Sequence, residues 1–217
     1  MFQIVPAFAV PFVEALLPDS AALNAELLAL FLAREAEGAR YANPHPSMKI
    51  TPALFESDFS VFAWPEPSVQ RLREFCLAAL SRTIAQLNGY AEPKLKEIQI
   101  HSHTWFHVTR RGGYFGLHNH PMASWSGVYC VAAGGAGSHP DSGALHFANP
   151  LGVANMFADP ANVHLRAPYA LKGRTYQLQP GQLVLFPSWV MHEVLPFDGD
   201  GERVTVAFNC WFSAADP

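Results

Sequence analysis

The chain has 217 residues, 50% of them hydrophobic and only 15% charged, with a formal charge of −4 and a pI near 6.2. That length can bury a real core without disulfides or a structural metal, and it predicts a single domain over 1–217. Only 14 Lys and Arg are present, with no run longer than Arg110-Arg111, which excludes the basic face of a nucleic-acid-binding protein.

No apolar run approaches the roughly 20 residues of a membrane span. The N-terminus lacks a basic region, and Pro6 and Pro11 interrupt its apolar stretch, so no signal peptide is expected. Cys76, Cys130 and Cys210 are widely spaced and form no CxxC pair, the usage of a reducing cytoplasm. Histidine is the outlier in composition, with 10 residues against four Lys. Such a surplus suits metal chemistry without establishing it.

In chain order, residues 2–12 read as extended, because proline is poorly tolerated inside a helix. Pro18-Asp19-Ser20 opens a helix carrying Leu23, Leu27, Leu30 and Phe31 at spacings of three and four, ending near Gly38. Residues 43–67, with five prolines, read as loop and short turns. A second helix presents one apolar face from Val69 to Leu87 and closes at Asn88-Gly89, a pair that tolerates left-handed backbone.

The period then changes from helical to alternating. Ile98, Ile100 and the set His101, His103, Trp105 and His107 alternate as strand residues do. Strand-like runs follow at 125–132, 144–148, 174–179, 182–186, 190–195 and 203–212, with Gly- and Pro-containing turns between them. Many short strands with such punctuation imply a sandwich or barrel. The expected organisation is a mostly helical lead-in, 1–92, joined to a β core, 93–213.

Three signals in that core carry chemistry. In His118-Asn119-His120, residues i and i+2 of an extended segment project to one side, so two imidazoles can converge on one ion. In PGQLVLFPSWVMHEVLP, a Pro180-Gly181 turn launches an apolar strand, Pro187 ends it and His192 opens the next. Arg203, 11 residues beyond His192, begins the apolar strand VTVAFNCWF, with Thr205 two residues on. A guanidinium pointing into a barrel lacks compensation unless it meets an anion, for which a carboxylate is the natural fit. Alone, each has an ordinary reading: a metal-free HxH, a histidine satisfied by backbone, an Arg whose head reaches solvent.

Together and in this order they resemble the non-haem iron(II), 2-oxoglutarate-dependent oxygenases. The finer wording is similar to a bacterial and phage-type group with the pattern HxHP…WSGVYY…FPSWxxH…ERVxxAFN, matched from about residue 95 to 212. The resemblance implies a mainly β fold with helical support: a double-stranded β-helix, of the jelly-roll or cupin-like kind, with the N-terminal helices packed on it. It also implies an iron(II) dioxygenase that oxidatively decarboxylates 2-oxoglutarate to succinate and carbon dioxide while hydroxylating a substrate, and the cysteine usage places it in the cytoplasm. His118, His120 and His192 then hold the metal, and Arg203 with Thr205 grips the cosubstrate. Tyr129 is a further candidate for a cosubstrate carboxylate, although alternation from Ser126 leaves open that it faces the other way.

One departure from the superfamily matters. The usual triad is two histidines and a carboxylate, and His120 stands where that carboxylate is expected. Three imidazoles leave iron(II) with its full charge, which a 2-oxoglutarate dianion can offset; three-histidine iron sites are known in cupins. Alternatively His120 stands behind the ligands, and a carboxylate from elsewhere or a water takes the place. The i+2 geometry favours His120 itself.

A metal-binding cupin that does not use 2-oxoglutarate is the competing reading. Gly112, His118 and His120 supply its first motif, but Ser124 and Trp125 stand where its glutamate belongs. Gly181, Pro187 and His192 supply the second, with Trp189 in place of a glycine. A catalytically silent β-barrel is a third class. His101, His103 and His107 either line a pocket mouth or form an exposed face, and His139 lies in the Gly- and Ser-rich loop 133–143. Trp125, Trp189 and Trp211 read as barrel packing, with Trp189 near enough to His192 to wall the site.

Overall fold

The structure is a computed structural model describing residues 1–47, 49–151, 157 and 159–214. In chain order the elements are β1 (Val13–Leu16), α1 (Ala21–Ala36), β2 (Leu54–Glu56), α2 (Pro67–Asn88), α3 (Glu92–Lys96), β3 (Ile98–Thr109), β4 (Phe115–His118) and β5 (Trp125–Ala132). They continue as β6 (Leu145–Phe147), β7 (Arg174–Tyr176), β8 (Gln182–Pro187), β9 (His192–Val194) and β10 (Arg203–Ala214). Two antiparallel sheets result, one of six strands in the order β1-β8-β5-β10-β3-β2 and one of four in the order β4-β9-β6-β7. This is the double-stranded β-helix that the sequence implies.

Period-2 alternation divides the large sheet into two faces. On β10, Val204, Val206, Phe208 and Cys210 pack toward the helices, joined by Tyr129 and Val131 of β5 and Leu183 and Leu185 of β8. Against them α1 sets Leu23, Leu27 and Phe31, and α2 sets Val69, Leu72, Cys76 and Leu80, all at most 1% exposed. Burying each large apolar side chain contributes about 1.5–3 kcal/mol, so this layer anchors the lead-in to the sheet. The opposite face, with Cys130, Val184 and Phe186, packs against Leu145 and Phe147 of the smaller sheet.

Both helices match their sequence signals. Pro67 starts α2, where its missing N–H costs nothing, and Gly89 caps it with left-handed backbone at φ 67°. The lead-in is less purely helical than its periodicity suggests. β1 pairs with β8 (Val13↔Leu185), and β2, inside the Pro-rich stretch, pairs with β3 (Leu54↔Thr109). Strands of three or four residues are too short to show a period, and they form here by adding to the edges of an existing sheet. Among the described residues, no helix is long and apolar enough to cross a membrane.

Candidate metal and cosubstrate site

β4 and β9 place the first two histidines. They pair antiparallel with His118 opposite His192, and the register shifts between Phe115 and His118. His118 Nδ1 lies 2.7 Å from the Gly116 carbonyl and His192 Nδ1 lies 2.9 Å from the Val190 carbonyl. A carbonyl only accepts, so each Nδ1 carries the proton and each Nε2 keeps a free lone pair. His120 follows β4, and its backbone N–H donates to the Ser188 carbonyl at 2.9 Å, tying the HxH segment to the turn after β8.

The three rings close on one point. Their centroids are 4.9 Å (His118–His120), 4.3 Å (His118–His192) and 5.1 Å (His120–His192) apart. One nitrogen from each lies within 4.8 Å of the others, a group able to hold a metal ion. Burial, reinforced by the neighbouring imidazoles, pushes the pKa of His118 and His120 down to about 4 and that of His192 to about 3. All three are therefore neutral at pH 7, the form that binds a metal. Phe115, Phe147 and Phe186 pack on the rings, with Phe115 4.2 Å from His118 and Phe186 4.8 Å from His192.

The same cavity runs on to Arg203 and Thr205 on β10. Arg203 is only 6% exposed, and no carboxylate pairs with it among the described residues; burial lowers its pKa from the ordinary arginine value. Guanidinium stays charged in proteins, so a cation sits in this barrel without an anion. Gly143 makes room for it, since a Cβ there would lie 3.0 Å from Arg203 Cδ and its φ of +63° suits glycine. The inner cavity is narrow, about 30 Å³.

His118, His120, His192, Arg203 and Thr205 thus come together as the spacing suggested. Tyr129 does not. It lies on the helix-facing side of β5, fully buried, and donates its hydroxyl to Asn24 Oδ1 at 2.8 Å. Strand alternation turned it away, and it has no route to a cosubstrate in the barrel. Trp189 is likewise no wall of the site but 51% exposed. His139 lies in the exposed loop, as expected.

The simple reading of His101, His103 and His107 as one exposed face fails at its inner end. His107 is 7% exposed and shares the cavity with the three-histidine group, whereas His103 stands at the mouth and His101 stacks on Trp211. Sequence reasoning missed Glu56, Asn43 and Asn209. Glu56 Oε1 accepts from Asn43 Nδ2 at 2.6 Å, and Asn209 Oδ1 accepts from Ser126 Oγ at 2.7 Å. Glu56 lay inside a stretch read as loop, so no strand alternation was available to aim it inward.

Residues 103–209 match the family model described as “Putative 2OG-Fe(II) oxygenase”. No curated protein matches the chain. Among solved structures, it resembles a prolyl-4-hydroxylase from Pseudomonas putida at TM-score 0.59 and 19% identity, covering 96% of this chain and 94% of that one. AviO1 from Streptomyces viridochromogenes gives 0.59 and 15%, covering 96% and 93%. HygX from Streptomyces hygroscopicus, with nickel, 2-oxoglutarate and hygromycin B bound, gives 0.57 and 12%, covering 93% and 83%. At such identities the structures establish a shared fold, and the family match supplies the chemistry. The stretch that builds the site, residues 103–209, is that of a 2-oxoglutarate- and iron(II)-dependent oxygenase.

Proposed function

We propose that His118, His120 and His192 hold iron(II), that Arg203 and Thr205 hold the distal carboxylate of 2-oxoglutarate, and that the enzyme hydroxylates a second, organic substrate. The donor set fits the ion: three neutral imidazoles with free nitrogens, within reach of one another and walled by aromatic rings. Bound iron supplies oxygen activation. Overall, one oxygen atom of O₂ enters succinate and the other enters the substrate, with carbon dioxide released.

The chain's own contribution is positioning. Gly116 and Val190 carbonyls hold two imidazoles in the tautomer that leaves Nε2 free. Arg203 offers a forked pair of donors, and Thr205, 2% exposed, adds a hydroxyl beside it. Phe147, Phe186 and Leu145 keep bulk water from the inner cavity. Because that cavity is narrow, side chains must part to seat a five-carbon dianion. β1 and β2, as edge strands of the large sheet, support a single unit over 1–217. Three free buried cysteines support a reducing, cytoplasmic setting.

The observation that carries this reading is the buried, unpaired Arg203 in the same cavity as the histidines. The all-histidine donor set favours a second reading, a cupin-type metal enzyme, but leaves Arg203 without a purpose. Metal analysis followed by a succinate assay with 2-oxoglutarate separates them. Succinate formed only with iron(II) and 2-oxoglutarate supports the oxygenase; bound metal with no such turnover supports the cupin; no metal leaves a binding barrel.

A further inference from the structure

The space beside the three histidines holds a charge that the metal and cosubstrate do not use. A second cavity, of about 390 Å³, shares His118 and His120 with the inner one and is walled by Glu56, Asn43, Phe59, Trp105 and Lys49. Glu56 is 7% exposed. Its Oε1 accepts from Asn43, and its Oε2 lies 3.0 Å from His107 Nε2. Those contacts fill two of the roughly four acceptor positions on a carboxylate.

Among the described residues, no lysine or arginine lies within ion-pair distance of it. The one group at ion-pair distance from Glu56 among the described residues is His107. His107 Nε2 is the donor to that carboxylate, which leaves no lone pair on the same nitrogen for Trp105 Nε1–H, 3.1 Å away. Lys49 keeps its charge at the cavity wall, where its Nζ donates to the Leu117 carbonyl at 2.7 Å and makes no ion pair with Glu56. Burial alone would raise the Glu56 pKa, but its hydrogen bonds to His107 and Asn43 outweigh burial and hold the group below the ordinary value. An ionised carboxylate in a poorly hydrated wall is costly until a cation meets it. The walls suit one: Trp105 stands edge-on to Phe59 at 5.2 Å, and aromatic rings attract cations.

We propose that this cavity receives the primary substrate and that the substrate presents a protonated amine or guanidinium to Glu56, with its carbon skeleton against Phe59 and Trp105. The identification of the bound molecule as substrate rests on the oxygenase reading; the cation site itself needs no metal. The test uses phenethylammonium, its neutral N-acetyl derivative and the anionic 3-phenylpropionate. Binding is followed by ligand-observed NMR on the metal-free protein and on protein loaded with zinc and 2-oxoglutarate.

The ammonium is expected to bind about tenfold or more tightly than either isostere. Glu56→Gln should abolish that preference, and Phe59→Ala, at a 43% exposed position, should weaken ammonium binding several-fold. If Glu56→Gln fails to fold, the wild-type preference and Phe59→Ala still decide. The proposal is overturned if an isostere binds as well as the ammonium, if Glu56→Gln keeps the preference, or if no ammonium binds at roughly millimolar concentration. Titrations of zinc and 2-oxoglutarate on the same samples separate the two readings. Their failure with the ammonium still bound strikes the oxygenase reading, and the reverse strikes only the cation site.

Discussion

His118 and His192 stand opposite each other in the ladder between β4 and β9, their rings 4.3 Å apart, and each is held by the carbonyl two residues before it. The same local geometry is thus used twice, once on each strand, and antiparallel pairing aims the two free nitrogens at one point. Removing either ring should cost more than the roughly 10–100-fold loss seen when only a supporting contact is lost. His192→Ala is therefore expected to weaken metal binding by over about 100-fold in a competition titration. Undiminished affinity would place the metal elsewhere.

Arg203 and the histidines should separate cleanly. Arg203→Ala removes the anion partner and leaves the three imidazoles intact, so metal content should hold while 2-oxoglutarate affinity falls by about 30-fold or more, as for loss of a buried charge partner. Thr205→Val removes one hydrogen bond, worth about 0.5–1.5 kcal/mol. Calorimetric titration of 2-oxoglutarate into the zinc-loaded variants checks both, and equal losses would contradict the assigned roles.

Tyr129 offers a control with the opposite signature. Tyr129→Phe loses the hydrogen bond to Asn24 inside the helix-packed core. Stability should fall by about 1 kcal/mol in denaturant unfolding, with Asn24 left unsatisfied, while 2-oxoglutarate affinity stays unchanged. A loss of affinity at constant stability would return Tyr129 to the cosubstrate site.

The depressed imidazoles set a pH window. Their folded values, about 4, 4 and 3, lie below the ordinary 6.5, so between these limits the unfolded chain binds protons that the folded protein refuses. The metal-free protein should keep its full stability above about pH 6.5 and lose it progressively as pH falls toward 4. Melting temperatures across that range test the sign. A stability that rises on acidification would mean the rings are charged in the fold.

The cysteines should be inert. Cys76, Cys130 and Cys210 are all buried, and burial pushes the Cys130 thiol up to about 11, that of Cys210 to about 12 and that of Cys76 well above its usual value. Thiol reagents act on the thiolate. Labelling at pH 8 should be negligible in the folded protein and complete after unfolding, as read by mass spectrometry.

Much of this was legible in the chain because periodicity reports burial directly. The stripe from Val69 to Ile84, the Asn88-Gly89 stop and the long strand containing CWF stand where the pattern put them, whereas Leu87, the last residue of the expected stripe, is exposed. The HxH spacing was legible because i and i+2 of an extended segment share a side, whereas His192 was marked only by its place after the Pro187 stop and by the resemblance to the oxygenases. β1 and β2 were not, since strands of three or four residues carry no period and exist through their partners. Glu56 was hidden for that reason, and Tyr129 was misdirected because alternation fixes a pair of faces without saying which one is the barrel.

By itself, the sequence determined the β core and the helical support through periodicity, while spacing and the cost of burying charge marked the three histidines and Arg203 as candidates that the resemblance to the oxygenases joined into one site. Only the tertiary structure decided that Tyr129 belongs to the helix-packed core, that His107 is buried, and that a carboxylate from β2 stands beside the histidines. Those outcomes depend on which strands become neighbours, and pairing between distant segments is a property of the folded sheet that no local period encodes.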